Sequence, residues 1–153
     1  MLFDKLARWL PLPDRTLQGT VFLDFDGVLH PGFDNTFSCL PVFERLLKKY
    51  PQLQVVISSS WREARTLDEL RQIFHVRLRQ SIVGLTPILP GSNRQAEIRQ
   101  YCEAHGIRRY VILDDGEELF PRNCPNLYLT NPATGLTAAD LRHIIAILRR
   151  QSR

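Results

Sequence analysis

The feature that most restricts this chain is a series of short apolar runs, each followed by a stretch with helical spacing. The runs are TVFLDF (20–25), QVVISS (54–59), SIVGLTP (81–87), YVILDD (110–115) and NLYLT (126–130). They are mostly β-branched or aromatic, as buried strands are. Between them, PVFERLLKKY (41–50) carries apolar residues at helical intervals and stops at Pro51. WREARTLDELRQIF (61–74) reads as one further helix. SNRQAEIRQYCEAHG (92–106) starts a helix at Ser92 or Asn93 and stops it at Gly106. TAADLRHIIAILRR (137–150) closes the series, with Thr137 as N-cap and Asp140 three residues on. Strands alternating with helices predict an α/β fold: a three-layer sandwich around a doubly wound parallel sheet of about five strands.

A chain of 153 residues suits one such domain, here expected over residues 20–153. Residues 1–19 form an extension whose apolar Leu2, Phe3, Leu6, Trp9 and Leu10 share one helical face. With charges interrupting that face and no small-residue cleavage site after it, a short amphipathic helix is expected there rather than a leader. No apolar run approaches the roughly 20 residues that span a bilayer, so no membrane partner is expected. Cys39, Cys102 and Cys124 are odd in number and lack CxxC spacing, which suggests neither disulfides nor zinc and fits a reducing cytoplasm. The net charge of +4 is compatible with phosphate-bearing partners but too small to imply them.

In doubly wound sheets, ligands sit beyond the carboxyl ends of the strands. Those ends carry Asp24 and Asp26, then Ser58, Ser59 and Ser60, then Asp114 and Asp115. Four carboxylates on one rim repel one another unless a cation lies among them. A hard, oxygen-loving ion answers that need, and magnesium suits it best because it binds through few carboxylates plus waters and phosphate. Asp24 and Asp26 are spaced to share one face of an extended strand, and a bend after the strand separates their tasks. Gly27 lets the backbone turn sharply or approach a ligand. Taken alone, DFDG reads equally well as a carboxylate pair capping a turn.

The wider pattern weighs against that plain reading. DFDGVL resembles the first motif, DxDx[TV], of the haloacid dehalogenase (HAD) superfamily, whose members are mostly magnesium-dependent phosphatases. VVISS, Arg94 at a helix start and VILDD follow in the order of that superfamily's other motifs. The resemblance implies that Asp24 is a nucleophile forming an aspartyl-phosphate and a magnesium ligand. It implies that Asp26 protonates the leaving oxygen, then deprotonates water, and reaches the metal through its backbone carbonyl. A hydroxyl of the second strand holds a phosphate oxygen: Ser59 by its Ser-x-Trp spacing, with Ser58 next in line and Ser60 beside them. Asp115 ligates the metal directly, and Asp114 ligates it or orients a water. The basic residue of the third motif is usually Lys, but the only lysines here are Lys5, Lys48 and Lys49. Arg94 is the substitute, able to bind phosphate bidentately.

SSSWRE and LDDGEELF, with TNPATGL, are similar to a narrower group: small bacterial proteins of the superfamily whose domains also occur in RNA-repair fusion proteins. In that likeness Trp61 and Arg62 line the entrance, Arg62 within reach of substrate. Their plainer readings are an aromatic packed on the flap and a surface ion pair with Glu63 or Asp114. Residues 27–40 leave room for a short flap and no folded cap, which suits a large phosphorylated substrate, a nucleic-acid end among the candidates. A phosphohydrolase is the leading expectation, and a phosphate- or partner-binding domain on the same fold is its rival.

Overall fold

A computed structural model describes residues 12–151. Five parallel strands form one sheet: β1 (Gly19–Leu23), β2 (Leu53–Ile57), β3 (Ile82–Leu85), β4 (Tyr110–Asp114) and β5 (Leu127–Leu129), in the order β3-β2-β1-β4-β5. Among the described residues four α-helices accompany them: α1 (Leu40–Lys49), α2 (Leu67–Arg71), α3 (Arg94–His105) and α4 (Asp140–Arg150). Alternation along each strand divides the apolar side chains between two layers. Val21, Leu23, Val55, Ile57, Val111 and Leu113 pack with Phe43, Leu47, Leu70 and Ile144, and so with α1, α2 and α4. Phe22, Val56 and Ile112 pack with Ile98 of α3 and with Phe120 on the opposite face. This is the three-layer, doubly wound sandwich that the sequence predicts. The chain grows from β1 through β2 to β3, then returns to place β4 on the other side of β1, so the strand order reverses between β1 and β4.

Several local signals act as read. Asn93 caps α3 by accepting from the Ala96 amide (2.9 Å), and Gly106 ends it in the left-handed conformation at φ 65°. Two helical expectations need correction. Residues 61–74 do not form one helix: a 3-10 turn at Ser60–Glu63 is followed by a new start at Thr66. Thr66 and Glu69 form a reciprocal capping box, so the helix that follows begins there. The last helix starts at Asp140, not Thr137. The Asp140 carboxylate accepts from both the amide and the hydroxyl of Thr137 (2.7 and 2.9 Å) and thus caps the turn from within.

The expected amphipathic helix at residues 2–10 lies outside the described residues. Further on, Leu17 enters the core, and Lys49 and the Asp14 amide exchange bonds between residues 12–14 and the end of α1. Residues 24–39 form a turn-rich flap between β1 and α1 with no folded insertion. No described helix is long and apolar enough to cross a membrane.

Candidate active site

The site follows from strand register. Leu23 pairs with Ile57 on one side and with Leu113 on the other. One step further along each strand therefore places Ser58, Asp24 and Asp114 side by side, and the ladder continues through Ser58 N–H to Leu23 O and Asp24 N–H to Leu113 O, both 3.0 Å. Three β-branched or leucine-rich runs stop at one level, and the polar residue that follows each stands abreast of the others. This is also where the strand order reverses, the usual crevice for ligands in open α/β sheets.

Beyond Asp24 the chain bends: the amides of Val28 and Leu29 both donate to Phe25 O. Gly27 takes φ 73°, and a Cβ there would lie 2.1 Å from Asp115 Oδ2. Glycine is thus required twice over, by conformation and by the carboxylate pressed against it. The Thr130 hydroxyl, at the end of β5, donates to the Gly27 carbonyl (2.8 Å) and fixes the bend from the other side.

Asp24, Asp114 and Asp115 each offer a carboxylate oxygen within 4.8 Å of the other two. Arg94, at the first position of α3, bridges them through Nη1, 2.6 Å from Asp114 Oδ2 and 3.3 Å from Asp24 Oδ2. Asp114 is fully buried and also accepts from the Gly116 amide (2.9 Å). One guanidinium against three acids leaves the cluster short of positive charge. Burial first, and then the Asp114 carboxylate, push the Asp24 carboxyl up to about 8, although Arg94 and the Phe25 amide pull it down. Asp115 is raised for the same reasons, burial and then Asp114. Burial opposes the charge on Arg94, but Asp24 and Asp114 outweigh it and raise its pKa. A hard divalent cation fits this donor set: three carboxylate oxygens, no sulfur, no imidazole and an unbalanced negative charge.

Asp26 lies apart from that cluster in an aromatic setting. His30 Nε2 lies 2.8 Å from Asp26 Oδ1, and the Trp61 indole N–H lies 3.2 Å from each carboxylate oxygen. His30 is fully buried. Arg65 covers the Trp61 ring, its guanidinium carbon 4.4 Å from the ring centroid. Trp61 therefore both packs under the flap, against Phe25 and Phe37, and bonds to a site carboxylate.

The three serines separate cleanly. Ser58 is buried in line with Asp24, and its hydroxyl has no hydrogen-bond partner among the described residues. Ser59 Oγ accepts from the Trp61 amide (3.3 Å) and caps the 3-10 turn. Ser60 is exposed at the start of that turn.

Arg62 is not where the sequence reading put it. Its guanidinium is buried, with Nε on Thr86 O, Nη1 on Ser58 O and Ser59 O, and Nη2 on Pro87 O and the Glu97 carboxylate. All five donors are engaged, so none is left for a phosphate. Its ionic partner is Glu97, and neither Glu63 nor Asp114. Sequence reasoning passed over Glu97 and over His30. The i, i+4 spacing of Asp26 and His30 was the available signal for the latter.

Among known proteins, no curated protein matches the chain. The family described as the HAD domain in Swiss Army Knife RNA repair proteins matches it over residues 20–141, from the start of β1 into α4. That stretch contains every residue of the site described above. The chain belongs to this family, and through it to the HAD-like hydrolase superfamily.

Proposed function

We propose that the protein is a magnesium-dependent phosphomonoesterase working through an aspartyl-phosphate on Asp24. The observation that carries this is the register that sets Asp24, Ser58 and Asp114 abreast, with Arg94 across the two acids. Asp24, Asp114 and Asp115, with the Asp26 carbonyl as the family resemblance implies, would hold magnesium, which when bound would supply positive charge that favours ionised Asp24 and offsets that of the phosphoryl group.

The chain's own groups divide the remaining work. An Asp24 oxygen attacks phosphorus as the bond to the ester oxygen breaks, and Asp26 gives that oxygen its proton. Asp26 then takes a proton from water, whose oxygen attacks phosphorus and breaks the bond to Asp24, releasing inorganic phosphate. Ser58 is the hydroxyl best placed to donate to a phosphate oxygen, in preference to Ser59, because its Oγ has no other partner and lies level with the nucleophile. Arg94 uses only Nη1 on the carboxylates, and its Nε and Nη2, without partners among the described residues, face the same duty.

A flap without a folded cap suits a substrate whose body stays outside the site, and the description of the matched family makes phosphorylated RNA ends the first class to try. Arg62, Arg71 and Arg79 are all bonded to backbone carbonyls, which favours recognition at the phosphate over tracking along a basic groove.

The test is release of phosphate from an aryl phosphate and from 3′- and 5′-phosphorylated oligonucleotides, with magnesium and with chelator, beside Asp24→Asn. Magnesium-dependent release that Asp24→Asn abolishes is expected. Magnesium-dependent binding without turnover across the panel would instead establish the binding-domain reading.

A further inference from the structure

We infer that His30 and Trp61 are positioning residues for Asp26: His30 occupies one carboxylate oxygen, Oδ1, and so assigns proton transfer to the other, Oδ2. The inference rests on the phosphohydrolase reading above.

Three observations converge on this one carboxylate. His30 is completely buried, yet only Nε2 has a partner, Asp26 Oδ1; Nδ1 has none among the described residues. A ring nitrogen left unpaired in the interior costs free energy that an apolar residue would avoid. The Trp61 indole N–H reaches the same carboxylate from a different element, beyond β2. Behind both lies Phe37, whose ring stands edge-on to His30 (4.8 Å between centroids) and to Trp61 (5.3 Å). Its backbone is at φ 52°, a left-handed conformation that a bulky residue enters only when its surroundings hold it there. Phe25 completes the box, 5.9 Å from Phe37 and 5.6 Å from Trp61. An orphaned nitrogen and a strained aromatic backbone thus surround one acid.

The tautomer with hydrogen on Nε2 satisfies this geometry, since that hydrogen meets the carboxylate and no N–H is left without an acceptor at Nδ1. Oδ1 then accepts from His30, and the Trp61 N–H is shared between Oδ1 and Oδ2, 3.2 Å from each. A proton placed on Oδ1 along the His30 direction would face the Nε2 hydrogen, so the acidic proton resides on Oδ2. In the first half-reaction the Oδ2 proton passes to the leaving oxygen as the P–O bond breaks. In the second, Oδ2 receives a proton from the attacking water, and the starting state is restored.

The experiment separates steps that need this proton from one that does not. Rates are measured with a primary alkyl phosphate, whose leaving group requires protonation, and with 2,4-dinitrophenyl phosphate, whose leaving group does not. The variants are His30→Leu, His30→Gln, which restores a donor, and Trp61→Phe, which keeps the aromatic packing; thermal melts verify folding. For His30→Leu, kcat/KM on the alkyl ester is expected to fall about 100-fold, the lower range for general acid catalysis. On the dinitrophenyl ester kcat/KM should change far less, while kcat falls and a burst of dinitrophenolate appears because hydrolysis of the aspartyl-phosphate still needs Asp26. Trp61→Phe should show the same pattern more weakly, and His30→Gln should recover part of the alkyl-ester rate. Equal losses of kcat/KM on both esters, or no loss on either, would overturn the positioning role while leaving the phosphatase standing. A wild-type protein that hydrolyses neither ester overturns both.

Discussion

The site has two halves that solve the burial of acids in opposite ways. Around Asp24, Asp114 and Asp115, three carboxylates crowd together and one guanidinium pairs with two of them, so the balance is left incomplete. Around Asp26, a single carboxylate is paired with the His30 ring and the Trp61 N–H inside a box of aromatic rings. The first half carries excess negative charge, whereas in the second the carboxylate is already paired. A site of this kind gains affinity from the unsatisfied half and precision from the satisfied one.

The contrast can be broken at its extremes. Asp24→Asn should lower kcat by at least about 10⁴-fold, as loss of a nucleophile does, and single-turnover kinetics should show no phosphoenzyme. Arg94→Met should cost about 10²- to 10³-fold in kcat/KM, in the range for losing one preorganised donor, with Arg94→Lys recovering part of it. If Arg94→Met retains full activity, the guanidinium does not serve the charged half.

Stability offers a gentler probe of the same half. Without a cation, burial and then Asp114 push the Asp24 carboxyl up to about 8 in the folded chain against the ordinary 3.8. Between those values the folded state holds a proton that the unfolded state has released, so stability falls as pH rises from about 4 to about 8 and levels above that. Melts in chelator should show this decline, and magnesium should raise Tm most at the upper end of the window, where Asp24 is easiest to ionise. A pH-independent gain from magnesium would argue that Asp24 is not among its ligands. The smallest effect distinguishes the serines. Ser59→Ala removes a cap and should cost about 1 kcal/mol of stability. Ser58→Ala removes a hydroxyl with no partner and should raise KM for phosphate esters without lowering Tm.

The sheet and the charged half were legible because one local rule governs both: each acid follows directly on an apolar run. Asp24 and Asp114 needed only parallel register to meet, and Arg94 needed only the helix start at Asn93. What escaped was settled by partners distant in sequence or by chain direction after a strand. Residues 61–74 carry continuous helical spacing, but burial of Arg62 and the Thr66 capping box divide them. That Ser59 caps the next turn while the Ser58 hydroxyl has no partner among the described residues is likewise concealed by adjacent serines. His30 was missed because i, i+4 spacing brings side chains together on a helix, whereas here a tight bend does so. Thr137 has the right residue type for a cap, but Asp140 supplies the accepting oxygens.

Arg62 also bears on how the domain assembles. Its donors join the ends of β2 and β3 to Glu97, one turn into the helix that presents Arg94. A chain that has closed only part of this half of the sheet would bury a cation without its full set of acceptors, a severe penalty. The same side chain therefore ties the ends of β2 and β3 to the helix that carries Arg94, and displacing any of the three would leave a buried cation short of acceptors.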